Sequence, residues 1–367
     1  MGIKHYKQMT YSCSAICGTG LVRGENQDNL YINGAYRQDV SDNSEFRHED
    51  SVTGRGMYAV ADGMGGEKHG ELASLAAVET LGEATATAEG ISCFLTEKNS
   101  HICNLIKEKG GSRIGSTFAG LCVDGEKADI INIGDSRVYL YRGGALKQIS
   151  SDHTQAQRMV DLGLMDKATA DRRPDKHKLT QHLGVFPEEF VIEPYSAQIE
   201  AQPGDVFLLC SDGLTDMLDD MEIKNTLDSQ GNAKFLAESL YAGALGKGAR
   251  DNITVAVIMA ASDASKRLKS KRASGKKART KITMSTAVIA VVTAVAVLAA
   301  LATVGYLILG SSNVQTEGPP DNPITEDPLQ APPASPPAQL DIYCFGCGGS
   351  STFAPQKMHS LRRRGEC

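Results

Sequence analysis

The chain has 367 residues, 41% of them hydrophobic and 22% charged, which excludes a chain disordered throughout and suggests about two domains. Its net charge of −6 conceals a partition: residues 1–265 carry −13, residues 266–281 carry +9, and residues 311–367 carry −2. The acidic N-terminal part lacks the basic footprint of a nucleic-acid binder.

In chain order, the first 30 residues hold no apolar run, so no signal peptide is expected. Tyr6 stands where a myristoylation signal needs Ser or Thr. Residues 1–262 are predicted to form one domain built from short apolar runs punctuated by Gly and Asp. Strands are predicted over 57–61, 116–123, 128–133, 138–141, 145–149, 206–210 and 255–259. The stretch Asp124-Gly125-Glu126-Lys127 and the pair Gly143-Gly144 read as hairpin turns. Helices are predicted over 67–81, where Leu72, Leu75, Ala76 and Val78 recur at helical spacing, and over 235–244. Hairpins alternating with long helices suggest antiparallel sheets covered by helices.

Residues 263–281 form a basic linker, with nine Lys and Arg between Lys266 and Lys281. Residues 282–309 contain no Asp, Glu, Lys, Arg or His. That run is long enough for a single transmembrane helix over 282–310. The adjoining basic block predicts that the N-terminal domain faces the cytoplasm. Residues 311–367 are expected to be an extended, Pro-rich tail outside the cell membrane, with eight prolines between 318 and 340. Cys344, Cys347 and Cys367 lie in that tail. Cys13, Cys17, Cys93, Cys103, Cys122 and Cys210 lie in the N-terminal domain without metal-like spacing, and read as small buried hydrophobes.

The chemistry-bearing pattern is a series of acidic residues at strand ends beside small residues. Arg23 and Asp28 come first, then Asp62-Gly63-Met64, Asp135, Asp212-Gly213 and Asp251-Asn252. A carboxylate at the end of an apolar strand must be solvated, paired or metal-bound. Converging carboxylates favour Mg²⁺ or Mn²⁺, which take oxygen ligands. Gly63 permits close approach of a backbone carbonyl. Two metals about 3.5–4 Å apart can activate a shared water for in-line attack on phosphorus. Arg23 suits a phosphate through paired hydrogen bonds.

The order and spacing of these pieces resemble the PP2C (PPM) family of metal-dependent Ser/Thr protein phosphatases, in particular its bacterial members. The resemblance runs from about Tyr11 to Met259 and includes Ala61-Asp-Gly-Met-Gly-Gly66, Gly115-Ser116-Thr117 and Ser151-Asp-His-Thr154. Residues 159–184 look like the mobile flap of bacterial members. The resemblance implies an α+β fold, an α-β-β-α sandwich of two antiparallel sheets flanked by helices. It implies that Asp62 bridges two Mn²⁺ or Mg²⁺ ions and that the Gly63 carbonyl binds one of them. Asp212 and Asp251 would complete the second ion's shell, Asp28 would hold metal-bound water, and Asp135 would serve a third, weaker site. Arg23 would bind the substrate phosphate, and Asn252 would orient Asp251 or a water. Phosphoproteins would be the substrates, opposed by a Ser/Thr kinase. Met64 and Gln27 depart from the animal pattern, which has His and Glu there; His153 and His182 are then alternative proton donors, though each also reads as structural. The contrasting reading is a catalytically silent phosphoprotein-binding or sensor module.

Overall fold

The computed structural model describes residues 9–64, 69–110 and 113–262. The chain opens with β1 (Met9–Gly18), β2 (Asn29–Ile32), β3 (Ala35–Tyr36), β4 (Phe46–Thr53), β5 (Arg55–Ala61) and β6 (Gly63–Met64). Helices α1 (Gly70–Val78) and α2 (Ala88–Glu108) follow. Next come β7 (Gly115–Ser116), β8 (Phe118–Asp124), β9 (Lys127–Ile133), β10 (Arg137–Arg142) and β11 (Ala145–Gln148). Short helices α3 (Gln155–Asp161) and α4 (Lys167–Ala170) precede β12 (Tyr195–Glu200) and β13 (Val206–Cys210). The described part closes with α5 (Asp212–Thr215), α6 (Asp220–Asp228), α7 (Ala233–Gly246) and β14 (Ile253–Ser262).

Two antiparallel six-stranded sheets result, ordered β11-β10-β13-β14-β1-β4 and β12-β9-β8-β5-β2-β3. Successive side chains of a strand point to opposite faces, so a strand covered on both sides must be apolar almost throughout. β5 is such a strand: Tyr58 and Val60 enter the core between the sheets. Ala59 and Ala61 enter a second core with Ala73 and Ala77 of α1 and Leu95 and Ile102 of α2. On the other sheet, Leu209 and Ile258 face inward. Leu208 and Val257 pack with Leu236 and Leu240 of α7. The layers are therefore helix, sheet, sheet, helix.

The predicted strands within β5, β9, β10, β13 and β14 are present, as are both hairpins. The predicted strand 116–123 is broken at Thr117, whose N–H donates to the Asp62 carbonyl at 2.9 Å; β7 thereby pairs with β6 and β8 with β5. In the predicted helix 67–81, the described helix is α1 alone, and Leu81 lies in a separate 3-10 turn. Its start at Glu67 is outside the described residues, as are the predicted linker, span and tail of 263–367. Among the described residues no helix is long and apolar enough to cross a membrane.

Several elements had no expectation. β4 reads Phe-Arg-His-Glu-Asp-Ser-Val-Thr and is an edge strand with alternating exposure; charges on an edge discourage further pairing, and they also hide its strand character. The 21-residue α2 carries polar residues on much of its surface, and its buried stripe includes Lys98 and Asn99. Thr87 caps it by accepting from the Gly90 N–H at 3.1 Å. Asn99 accepts from the N–H groups of Gly184 and Val185, at 2.8 and 3.1 Å, and donates to the Val185 carbonyl at 2.9 Å. Its polarity serves a segment more than 80 residues away.

Candidate active site

The antiparallel pairing brings the predicted acidic residues to one end of the sandwich. Asp28 precedes β2, Asp62 follows β5 and Asp135 follows β9. Asn29 pairs with Ala61, and Phe118 of β8 pairs with Ile133. From the other sheet, Asp212 follows β13 and Asp251 precedes β14, where Cys210 pairs with Val255. Arg23, Gly63, Asp62, Asp135, Asp212 and Asp251 line one cleft of about 740 Å³. Asp28 is buried behind it at 1% exposure.

Asp28 ties the two sheets together. Its Oδ2 accepts from Ser211 Oγ and Thr254 Oγ1, both at 2.7 Å. Burial pushes its carboxyl up to about 7 against the effect of those two hydroxyls, and Asp212 and Asp251 add to the rise. Asp62 is held at the end of β5 by its backbone: its N–H donates to Thr117 Oγ1 at 2.9 Å. Its carbonyl accepts from Ser116 Oγ at 3.1 Å. Burial, then the charges of Asp28, Asp212, Asp135 and Asp251, raise the Asp62 carboxyl well above the usual range. Asp135 is pushed up to about 6, chiefly by burial.

Gly63 leaves no room for a side chain. An added Cβ would stand 2.2 Å from the Gly70 carbonyl oxygen and 2.4 Å from that of Gln27. Both are backbone atoms, so the glycine is required by close approach. Ser74 Oγ donates to the same Gln27 carbonyl at 2.6 Å, joining α1 to the loop before β2.

Arg23 donates to Asp251 Oδ2 at 2.7 Å and is half exposed, which leaves its guanidinium on the cleft wall. Hydrogen bonding and charge attraction from Asp251 raise its pKa. Asn252 departs from expectation. Its side chain accepts from the Gln27 N–H at 2.8 Å and donates to the carbonyls of Thr19 and Glu25, both at 2.9 Å. It therefore shapes the Arg23-bearing loop, whereas the contact with Asp251 comes from its backbone N–H at 2.9 Å.

His177 was not singled out by the sequence reading, and it is the histidine that lines this cleft. Nδ1 lies 3.3 Å from Asp135 Oδ2 and 3.2 Å from Asp212 Oδ2, and Nε2 lies 3.0 Å from Asp216 Oδ1. Hydrogen bonds to those three carboxylates raise its pKa to about 12. The one available signal was its place in a polar stretch after α4 whose partners are distant in sequence. His153 and His182 are engaged elsewhere: His153 Nδ1 accepts from the Gly134 N–H at 3.2 Å, and His182 Nδ1 contacts the Leu183 carbonyl at 2.8 Å. Neither lines the cleft.

These shifts have a consequence for the metal-free protein. The fold favours the protonated forms of Asp28 and Asp135, so their contribution to stability is full below the unfolded value near 3.8 and declines as pH rises through about 6 to 7. His177 acts in the same direction above 6.5, since its folded value is also raised. Melting of chelator-treated protein should therefore occur at lower temperature near about pH 8 than near about pH 5.5, with Mn²⁺ recovering more at the higher pH. A metal-free Tm that rises over that window would contradict the assignment.

A cleft lined by converging carboxylates, one glycine carbonyl and an arginine is suited to hard divalent cations and a phosphate. Comparison with known proteins agrees. Residues 28–241 match the family model described as Protein phosphatase 2C. The protein phosphatase PhpP of Streptococcus pneumoniae is 32% identical over 254 residues, covering 67% of this chain and 96% of PhpP. The serine/threonine phosphatase PstP/Ppp of Mycobacterium tuberculosis has a similar crystal structure, with a TM-score of 0.57, 29% identity, and coverage of 69% of this chain and 98% of that one. A structure of the PstP catalytic domain with two manganese ions matches with a TM-score of 0.56 at 29% identity, covering 69% of this chain and 99% of that one. By fold, site geometry and sequence alike, this chain belongs to the Protein phosphatase 2C family.

Proposed function

We propose that this chain is a metal-dependent protein phosphatase that hydrolyses phosphoserine and phosphothreonine in proteins, tethered to the cell membrane by residues 282–310 with its catalytic domain in the cytoplasm. The carrying observation is the convergence of Asp62 with Asp28, Asp135, Asp212 and Asp251, whose charges add to burial in raising the Asp62 carboxyl. Such a cluster is relieved by cations. Asp62 would bridge two of them, the Gly63 carbonyl would serve one, Asp212 and Asp251 the other, Asp28 their water, and Asp135 a third site.

Two Mn²⁺ or Mg²⁺ ions, when bound, supply Lewis acidity at the phosphoryl oxygens and lower the pKa of an attacking water. The chain's own residues do the rest. Arg23 is placed to exchange its bond to Asp251 for a phosphoryl oxygen. Asn252 holds the loop that carries it. Asp28 is locked in place by Ser211 and Thr254, and its charge adds to the rise of the Asp62 carboxyl. Met64 lines the cleft and has no proton to give a leaving serine or threonine. The membrane reading rests on the uncharged 28-residue run and the nine basic residues preceding it. Opposition to a Ser/Thr kinase follows from the substrate class.

The test uses residues 1–262. The similar PstP chains are matched over 98% and 99% of their length by 69% of this one, so a domain of this extent folds alone. Phosphate release from a phosphothreonine peptide should require Mn²⁺ and stop with EDTA. A folded domain with no release under any divalent metal would leave the silent binding module as the better reading.

Arg23→Ala should raise KM for the phosphopeptide about tenfold, the lower end of what a charge-assisted hydrogen bond contributes at a half-exposed site. kcat should change less than about threefold, because a contact made equally in the ground and transition states is lost. A fall confined to kcat would instead place Arg23 on the reacting atoms.

A further inference from the structure

Met64 lines the catalytic cleft and also a neighbouring cavity of about 650 Å³, so it is their common wall. Ile106, Ile114, Val185 and Phe186 give the second cavity apolar walls, while Arg113 and Glu189 add one charge of each sign. Ile106 and Ile114 are buried, and Val185 and Phe186 are half-buried. Next in sequence to Glu189, Phe190 and Val191 are exposed.

This cavity is built on the backbone that carries the catalytic aspartate. β6, directly after Asp62, pairs with β7 through Gly63 with Ser116 and Met64 with Gly115. Ser116 and Leu183 then exchange both backbone hydrogen bonds, at 3.1 and 2.8 Å. The Asn99 bonds to Gly184 and Val185 extend the frame to α2. Gly115 is required by close packing: an added Cβ would stand 2.7 Å from the Leu183 carbonyl oxygen and 3.3 Å from Met64 Cε. Past Val185 the chain turns, with the N–H groups of Glu189 and Phe190 both donating to the Phe186 carbonyl, at 2.9 and 3.1 Å. Lys107 Nζ lies 5.3 Å from the centre of the Phe186 ring and holds it from α2. Whatever binds here is therefore placed relative to Asp62 by three paired segments of backbone.

The position of the cavity decides its occupant. The catalytic cleft is lined chiefly by carboxylates and Arg23, which suit a phosphate but recognise nothing else in a protein substrate. Apolar surface left open beside such a cleft marks an interaction site, and ligand pockets typically enclose about 300–1,000 Å³. One side chain separates the two spaces. An extended chain covers that thickness in about two residues, at about 3.3 Å each. The opposed charges of Arg113 and Glu189 favour neither sign, so the apolar walls set the preference.

We propose that this cavity is a subsite for the substrate protein, taking an aliphatic or aromatic side chain about two residues from the phosphoserine or phosphothreonine. The inference rests on the phosphatase reading above and adds to it a sequence preference in the substrate.

The experiment uses residues 1–262 with Mn²⁺ and a phosphothreonine peptide whose flanking positions are all serine. Two further peptides place leucine either two residues before or two residues after the phosphothreonine, and two more place lysine there. p-Nitrophenyl phosphate, which has no flanking residues, reads the catalytic centre alone. In one of the two registers leucine should raise kcat/KM about tenfold, mainly through KM, as expected for burying most of an aliphatic side chain. Phe186→Ala should reduce that preference below about threefold, with the all-serine peptide and p-nitrophenyl phosphate hydrolysed as by the wild type. Val185→Glu should shift the preference in the same register from leucine to lysine, a result that loss of packing alone does not give. Indifference of the wild type to leucine in both registers would overturn the subsite. So would a leucine preference that survives both variants, or variants that slow every substrate equally. Each of these leaves the phosphatase reading intact, because p-nitrophenyl phosphate and the all-serine peptide are still hydrolysed. No hydrolysis of any substrate by the folded wild type would overturn both.

Discussion

Asp62→Asn is expected to lower turnover at least about 10³-fold, with the domain still folded. The amide keeps the size of the carboxylate but not its charge. In the proposed mechanism Asp62 would hold both cations, so removing its charge would cost roughly several kcal/mol of the stabilisation they would give to phosphoryl transfer, and each 1.36 kcal/mol is about tenfold in rate. The structure predicts the opposite sign for stability. The Asp62 carboxyl is raised by burial and by four neighbouring carboxylates, so its charged form opposes folding of the metal-free chain. Metal-free Asp62→Asn should therefore melt no lower than the metal-free wild type at neutral pH. In the wild type Mn²⁺ should raise Tm, and in the variant it should raise it far less. Parallel calorimetry and phosphate-release assays read both effects. A variant with wild-type turnover would remove Asp62 from the centre of the site, and one that fails to fold would mean that the carboxylate is needed for packing.

The second large effect falls on stability. Asp152→Ala should cost about 3–5 kcal/mol, the range for leaving a buried charge without its partner. Arg137 Nε and Nη2 both donate to Asp152 Oδ2, at 2.9 and 2.6 Å, and Gln148 Nε2 donates to Oδ1 at 2.6 Å. The Asp152 side chain is 6% exposed and that of Arg137 18%. Without the carboxylate, Arg137 keeps only its 3.0 Å bond to the Tyr139 hydroxyl among these contacts. The pair also joins the start of β10, two residues after Asp135, to the loop that leads into α3. Urea unfolding of the domain should show the midpoint falling with an unchanged m-value. Replacing both residues by apolar ones of similar size should recover much of the loss, since a matched apolar pair leaves no charge stranded. A cost under about 1 kcal/mol for Asp152→Ala would show that water reaches the guanidinium.

Strand ends are where sequence and fold speak most nearly the same language. Asp62, Asp135 and Asp212 each follow an apolar run, Gly63 marks a close approach of neighbouring backbone, and Gly134 has a positive φ. Those features are local, so they were legible along the chain, as were the hairpin turns at Gly125 and Gly143. β4 and α2 were not legible, because one is a charged edge and the other uses Lys98 and Asn99 in its buried stripe. Their apolar periodicity is diluted by residues whose partners are far away.

The sequence by itself determined the acidic character of the N-terminal part, the identity of the five strand-end carboxylates and the presence of Arg23 among them. What only the tertiary structure decided is how these groups meet. Two sheets stacked face to face bring Asp28 onto Ser211 and Thr254 from opposite layers. They turn the Asn252 side chain away from Asp251 and onto the 19–27 loop. They set His177, more than 30 residues from either carboxylate, between Asp135 and Asp212. The reason is physical: spacing along a strand or helix records neighbours within a few residues, whereas a charge shared across two sheets depends on register and layer packing, which no single segment encodes.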